Sequence, residues 1–429
     1  MAAPELLQLL EETSANAANV LLIGTNVNDL AVSLGSKATV AGRANPSVNF
    51  NQYSDGQFDA IVANNVVKLW GLTGPDTMEV FLRNVLRLLK TGGHMLVRQD
   101  LGYHKTGMPF YTNCFDVYRV KSKEDSSLIG FKLHWLRSLE CSIENEKNFR
   151  DFCWCLEKKR FAAETTNNNE VTLRDFLDKS QYSSDGIRTY EWIFGEGFIS
   201  PGGVAENHKF LAKMDPKPGQ HMLDVGCGIG GSPFQAAKEY GITVLGLDLS
   251  SNMLLTAINR ANDAEEERVR FMLADMMECG FSENQFDLIY SRDAIIHIAD
   301  HVKLFKLFHK WLKPGGKVLT ISYSLGSSES LLPDFQSYLA SRQYSLKRNK
   351  DYIEALNTAG FSQVEVVDMS DRLKEILHIE IDNAQTNKAD FLKKFTEQQY
   401  NKLVSGWEDK IGYIEAQNFG WTMVFGVKA

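Results

Sequence analysis

The stretch HMLDVGCGIGG, residues 221–231, decides the reading of the chain. Three apolar residues, Met222, Leu223 and Val225, bracket a single aspartate, Asp224, and run into a turn with glycines at 226, 228, 230 and 231. A short apolar run ending in glycines predicts a buried strand entering a tight turn, with backbone free to approach a ligand closely. SPFQAAKEYG follows with helical composition, and TVLGLDLS supplies a second strand closed by Asp248 and Leu249. Strand, glycine turn, helix and strand make a nucleotide-binding α/β unit, in which an acidic residue roughly 20 positions on meets ribose hydroxyls.

Working outward, the same order recurs earlier in the chain. NVLLIGTNVNDLAVSLGSKATVAGR (19–43) repeats the strand, turn, helix and strand; FDAIVANNVVKL (58–69) mirrors FDLIYSRDAIIH (286–297); LRLLKTGGHMLV (86–97) mirrors FHKWLKPGGKVLT (308–320). An internal repeat of this length predicts a duplicated domain. The copies differ where chemistry needs them. Leu22 stands for Asp224, Asn26 and Asn28 for Gly228 and Gly230, and Asn65 and Leu69 for Asp293 and His297. The first turn is therefore expected to lose its backbone freedom, and the first copy to be degenerate and free of cofactor. The polar stretch AAETTNNNEVT (162–172) reads as a linker. The expected division is a degenerate domain over 1–165, a linker over 166–180 and a catalytic domain over 181–429 with an N-terminal lid, 181–204.

Composition sets the outer bounds. A chain of 429 residues with 44% hydrophobic and 23% charged residues fits two folded domains. A net charge of −8 opposes broad nucleic-acid binding, and no run approaches the roughly 20 apolar residues of a membrane span. The acidic start MAAPELLQLLEETSANAANV lacks the pattern of a secretory signal. Six cysteines without paired spacing suggest reduced thiols, with Cys153 and Cys155 on one face of a strand and no metal bound. A cytoplasmic monomer without stable membrane insertion is expected.

The glycine turn alone leaves a choice between NAD and S-adenosylmethionine. LADMMECGFSENQFDLIYS places Asp275 and Met276 after a third strand, where the carboxylate can accept from an adenine amino group, and LKPGGKVL turns into a fifth strand. LDVGCGIGG, LGLDLS, LADM, FDLIYS and LKPGGKVL together closely resemble the ordered motifs of class I S-adenosylmethionine-dependent methyltransferases. The expected fold is accordingly α/β, two Rossmann-like methyltransferase domains in tandem with the first degenerate. S-adenosylmethionine is the expected cofactor and S-adenosylhomocysteine its product. Asp224 would accept from the cofactor's amino group.

QYSSDGIRTYEWIFGEGFISPGGV (181–204), YSRDAIIHI (290–298), SYLASRQYSL (337–346) and SGWEDKIGYIEAQNFGW (405–421) resemble the phosphoethanolamine N-methyltransferases over nearly all of residues 180–429. With a degenerate first domain, the whole chain resembles the nematode-type branch that carries phosphomonomethyl- and phosphodimethylethanolamine to phosphocholine. The phosphate, with about −1.5 to −2 charges, needs several donors. The resemblance implies Tyr323, Tyr338, Arg342, Tyr344 and Lys410 for it. Asp293 and His297, four apart in an expected helix start, would form a carboxylate–imidazole pair in which the carboxylate orients the base. Tyr182 joins them by resemblance, carried by the lid. Gln181, Tyr190, Ile199 and Ser200 are further expected cofactor contacts, and Arg292 is expected either to join them or to pair with a nearby carboxylate.

Overall fold

The computed structural model describes residues 2–42, 50–66, 75–100, 119–122, 127–140, 150–161, 172–264 and 266–429. Two compact units emerge: residues 1–172 with 261–267 and 272–280, and residues 173–260, 268–271 and 281–429.

The first unit carries β1 (Val20–Gly24), β2 (Ala38–Gly42), β3 (Phe58–Asn64), β4 (Leu89–Asp100), β5 (Arg119–Lys121), β6 (Leu128–Glu140) and β7 (Arg150–Phe161). Their spatial order is β2-β1-β3-β4-β7-β6, with β5 on β6. The four strands β2, β1, β3 and β4 are parallel, and β7 and β6 close the sheet antiparallel. β1 reads VLLIG and is buried along its length, as a strand covered on both faces must be. Cys153 and Cys155 are free and buried on β7. Burial pushes the Cys153 thiol up to about 12, which leaves it an inert packing group. Leu69, Cys114 and Cys141, and all but the last residue of the expected linker stretch 162–172, lie outside the described residues.

In the second unit β8 (His221–Val225), β9 (Thr243–Asp248), β11 (Phe286–Arg292), β12 (Leu312–Leu325), β13 (Phe361–Asp368) and β14 (Phe419–Lys428) follow the same plan, and β10 (Val269–Ala274) is divided, with residues 269–271 in this unit and 272–274 in the first. The order β13-β14-β12-β11-β8-β9 has parallel pairing from β9 to β12 and antiparallel pairing at β14. From β8 the chain turns first to β9 on one side and later to β11 on the other. That reversal opens a crevice at the carboxyl ends of β8 and β11, where ligands of open α/β sheets bind. Residues 173–180, expected as linker, are instead a helical turn Leu173–Phe176 and a widened turn Leu177–Gln181 grouped with this unit.

Candidate active site

The cofactor side of the crevice is built on β8. Asp224 is buried, and its Oδ2 has no hydrogen-bond partner. Burial and the neighbouring Asp248 raise its pKa, and Arg292 partly offsets them. A lone buried carboxylate is costly unless a cation meets it, so Asp224 fits the ammonium of an amino-acid moiety. Gly226, at φ 78°, leaves no room for a side chain, since a Cβ there would stand 2.0 Å from that of Ala294. Asp248 braces this turn: Oδ2 accepts from Gly228 N–H at 2.8 Å and Oδ1 from Ser250 N–H at 2.8 Å. Burial still lifts its pKa to about 6. Its remaining lone pairs, beside half-buried Leu249, are free for ribose hydroxyls. Asp275 and Met276 follow β10 in the segment grouped with the first unit, Asp275 Oδ1 accepting from Met277 N–H at 2.8 Å.

The segment over the crevice is tied down at several points. Tyr182 N–H donates to Leu177 O at 2.7 Å, closing the widened turn. Asp178 accepts from the Ser250 hydroxyl and from Ser251 N–H, capping the helix Ser251–Asp263. Asn252 Nδ2 donates to Tyr182 O at 3.0 Å. Tyr182 and Ile199 then pack on a buried cluster of Ile187, Ile229 and Met253, and Ile199 lies over the glycine turn. None of these ties was legible beforehand, because Asp178 and Asn252 are ordinary polar residues in sequence and only meet in space.

Arg292 departs from expectation. Its guanidinium donates to the carbonyls of Gly203, at 3.0 Å, and of Pro201, and lies over the Phe210 ring. It is buried at 6% exposure and fastens the lid turn to β11, while its charge still acts on Asp224 and Asp293.

Asp293 and His297 are not the expected pair. Asp293 adopts φ 53°, with its N–H bonded to Ile321 O at 2.8 Å, and a single 3₁₀ turn, Ile295–His297, follows. Without an α-helix the four-residue spacing brings no shared face. Asp293 Oδ1 instead accepts from the Trp421 indole at 2.9 Å, and Oδ2 is buried without a partner. Burial raises its pKa against the pull of Arg292, Trp421 and Lys410, and the Ser200 side chain borders it. His297 Nδ1 lies 3.1 Å from Gln343 O, and its Nε2 has no partner. A carbonyl only accepts, so Nδ1 carries the proton and Nε2 the lone pair. Burial lowers the imidazole pKa, keeping the ring neutral near pH 7.

Beyond these lies a ring of tyrosines with two cations. Tyr323 is on β12, Tyr338 and Arg342 are on the helix Pro333–Arg342, Tyr344 follows its αL cap at Gln343, and Lys410 is on the helix Glu397–Glu415. Tyr323 and Tyr344 have ring centroids 6.3 Å apart, and Tyr338 and Tyr344 5.9 Å. The Arg342 guanidinium lies 5.8 Å from the Tyr338 ring and Lys410 Nζ 5.2 Å from the Tyr323 ring. Burial and the charge of Arg342 lower Lys410 to about 8, with Asp293 opposing. Arg342 stays charged: burial works against it, and the surrounding Tyr190, Tyr344 and Tyr338 hydroxyls more than offset that. Tyr190 thus lies beside Arg342. Gln181 donates to the Tyr182 hydroxyl at 2.9 Å and also borders Tyr344, so it too faces this ring.

A buried donor network supports the glycine turn from behind. Tyr290 Oη and Ser232 Oγ both donate to Asn207 Oδ1, at 2.7 Å each, and Asn207 Nδ2 donates to Gln235. Among the described residues no cluster of His, Cys, Asp or Glu has the arrangement of a metal site.

Fold and crevice together define a class I methyltransferase, and the comparisons agree. A family model described as a methyltransferase domain matches residues 223–320, and one described as phosphoethanolamine N-methyltransferase 2 N-terminal matches residues 3–162. Phosphoethanolamine N-methyltransferase 2 of Caenorhabditis elegans is 41% identical over 373 residues, 86% of this chain and 84% of its own length. The phosphoethanolamine N-methyltransferase 2 of Haemonchus contortus, solved with phosphomonomethylethanolamine and S-adenosylhomocysteine, superposes with a TM-score of 0.91 at 36% identity over 99% of both chains. Its selenomethionine form with S-adenosylmethionine gives 0.92 at 36%, over 99% of this chain and 98% of that one. The chain belongs to the phosphoethanolamine N-methyltransferase family.

Proposed function

We propose that the second unit transfers methyl groups to the nitrogen of phosphomonomethyl- and phosphodimethylethanolamine, yielding phosphocholine. The observation that carries this reading is the tyrosine ring holding Arg342 and Lys410 together. Burial first, and then the charge of Arg342, disfavour the charged form of Lys410, and a phosphate held by the two cations offsets both. A purely apolar acceptor would leave both uncompensated. The catalytic domain is assigned to 181–429, with 1–165 a degenerate copy.

When bound, S-adenosylmethionine supplies a sulfonium-activated methyl group. Asp224 receives its ammonium and Asp248 its ribose, and Ile199 covers the turn beneath. Arg342, Lys410 and the Tyr323, Tyr338 and Tyr344 hydroxyls hold the phosphate at the far end, with Tyr190 supporting Arg342. The acceptor nitrogen then lies near Asp293, His297 and Tyr182. An alkylammonium with a pKa of about 10 must lose a proton before its lone pair can attack. His297 Nε2 takes that proton, its orientation fixed by Gln343 O. Asp293 Oδ2 holds the amine, and Tyr182 with its segment excludes water and aligns it.

No helix among the described residues is long and apolar enough to cross a membrane. The net charge of −8 opposes broad nucleic-acid association, and the reading is of a cytoplasmic monomer without stable membrane insertion. A methyl-transfer assay with the three phosphobases tests the reaction. Turnover of the monomethyl and dimethyl acceptors, with little on phosphoethanolamine, is expected; activity confined to the unmethylated acceptor would reject the reading.

A further inference from the structure

Trp421 has no part in the account so far. It sits on β14, fully buried, with its ring edge-to-face on Phe210 at 5.5 Å. Its indole N–H reaches Asp293 Oδ1 at 2.9 Å. Ring packing and hydrogen bond together fix the plane of the carboxylate. The left-handed backbone at Asp293, φ 53°, and its N–H bond to Ile321 O fix the residue from the other side. The carboxylate is left with one unpartnered oxygen, Oδ2. The Ser200 side chain borders the carboxylate, and Lys410 and the Tyr323 and Tyr344 hydroxyls of the phosphobase cluster interact with it electrostatically.

We infer that Trp421 is a positioning residue which, by holding Oδ1, leaves Oδ2 as a single acceptor for an N–H of the substrate amine and so lets the site distinguish substrates from product. The inference rests on the proposed phosphobase reaction. The chemistry is a count of donors. Protonated phosphomonomethylethanolamine has two N–H groups and the dimethyl form one, whereas the quaternary nitrogen of phosphocholine has none. A buried carboxylate oxygen facing a quaternary nitrogen keeps the charge attraction and loses the hydrogen bond, and an unmet buried acceptor is costly. Release of the finished product then follows from the third methyl itself. Without Trp421 the carboxylate rotates, both oxygens compete for the amine, and the distinction fades.

The test is calorimetric titration of the full chain, saturated with S-adenosylhomocysteine, with phosphomonomethylethanolamine and with phosphocholine. Wild type should bind the first about tenfold or more tightly, as expected for a charged hydrogen bond. Trp421→Phe keeps a ring against Phe210 and removes the donor. It should weaken the monomethyl ligand at least fivefold, leave phosphocholine within twofold, and lower kcat with little change in cofactor affinity. Equal weakening of both ligands, or of neither, overturns the inference. If Trp421→Phe fails to fold, Asp293→Asn decides, because its carbonyl still accepts from Trp421 while the amide presents a donor where Oδ2 was. Selective loss of the monomethyl ligand supports the inference, and parallel loss rejects it. Absence of phosphobase binding by wild type would reject the proposed reaction instead.

Discussion

The two units share a backbone and differ in what fills the carboxyl ends of their strands. Gly24 and Gly226 both take positive φ, 102° and 78°; Asn26 and Gly228 take 53° and 55°; Asn65 and Asp293 take 54° and 53°. Asn65 N–H bonds Arg98 O at 2.8 Å as Asp293 N–H bonds Ile321 O at 2.8 Å. In the first unit Arg98, 2% exposed, ion-pairs with the fully buried Asp151 and donates to Asn64, whose amide donates to Thr25 O at 2.7 Å. An ion pair of the chain's own charges plugs the strand ends there. Buried atoms without partners occur in both units, Arg98 Nε in the first and Asp224 Oδ2, Asp293 Oδ2 and His297 Nε2 in the second. The backbone of the turn is thus alike in the two units, and what differs is that the buried carboxylate of the first faces a guanidinium of its own chain.

Breaking the plug gives the largest effect. Asp151→Ala leaves the Arg98 guanidinium buried beside no carboxylate and should cost about 3–5 kcal/mol, read as a lowered denaturation midpoint of the first unit. The converse change, Asp224→Leu, gives the second unit the residue the first has as Leu22. It should weaken S-adenosylmethionine binding at least about a hundredfold by calorimetry. Because the raised pKa of Asp224 means that its ionised form is penalised by folding, the same variant should melt a few degrees higher without ligand.

Smaller effects sharpen the phosphate end, which has no counterpart described in the first unit. Lys410→Ala should raise the phosphobase KM by roughly 10- to 100-fold with cofactor affinity unchanged. Lys410 must be charged to hold a phosphate, and its charge is lost as pH rises through about 8. The phosphobase KM should therefore climb above pH 8 in wild type, and Lys410→Arg, which stays charged, should flatten that climb. At the other limb His297 acts as a base only when neutral; its lowered pKa means kcat falls only below the ordinary histidine range. Least of all, Asn26→Gly should change stability by no more than about 0.5 kcal/mol, since asparagine already tolerates the left-handed region.

The repeat, the strand order and the cofactor turn were legible because each is a local pattern: apolar runs, glycines and an aspartate at fixed offsets. Two readings failed for physical reasons. Asn26 was expected to cost the first turn its freedom, yet asparagine adopts φ 53° there and keeps the shape. Asp293 and His297 were paired on helical spacing, and the left-handed residue that breaks the helix cannot be seen in DAIIH. Partners such as Trp421, Gln343 and Asp178 come from segments 70 or more residues away in the chain, or act through a backbone carbonyl that carries no signature. The reach of Tyr190 across to Arg342 likewise leaves no mark in the sequence around it.

Gly231 opens the helix behind the cofactor turn, and a Cβ there would stand 2.3 Å from the carbonyl oxygen of Gly197 in the lid. Lid and turn meet backbone to backbone at that point, with no side chain to yield. A methyl group at 231 acts as a wedge: it holds the door ajar without touching any residue of the chemistry. Such a protein would exchange its ligands quickly and seal poorly. The smallest side chain in the molecule sets how tightly the crevice can shut.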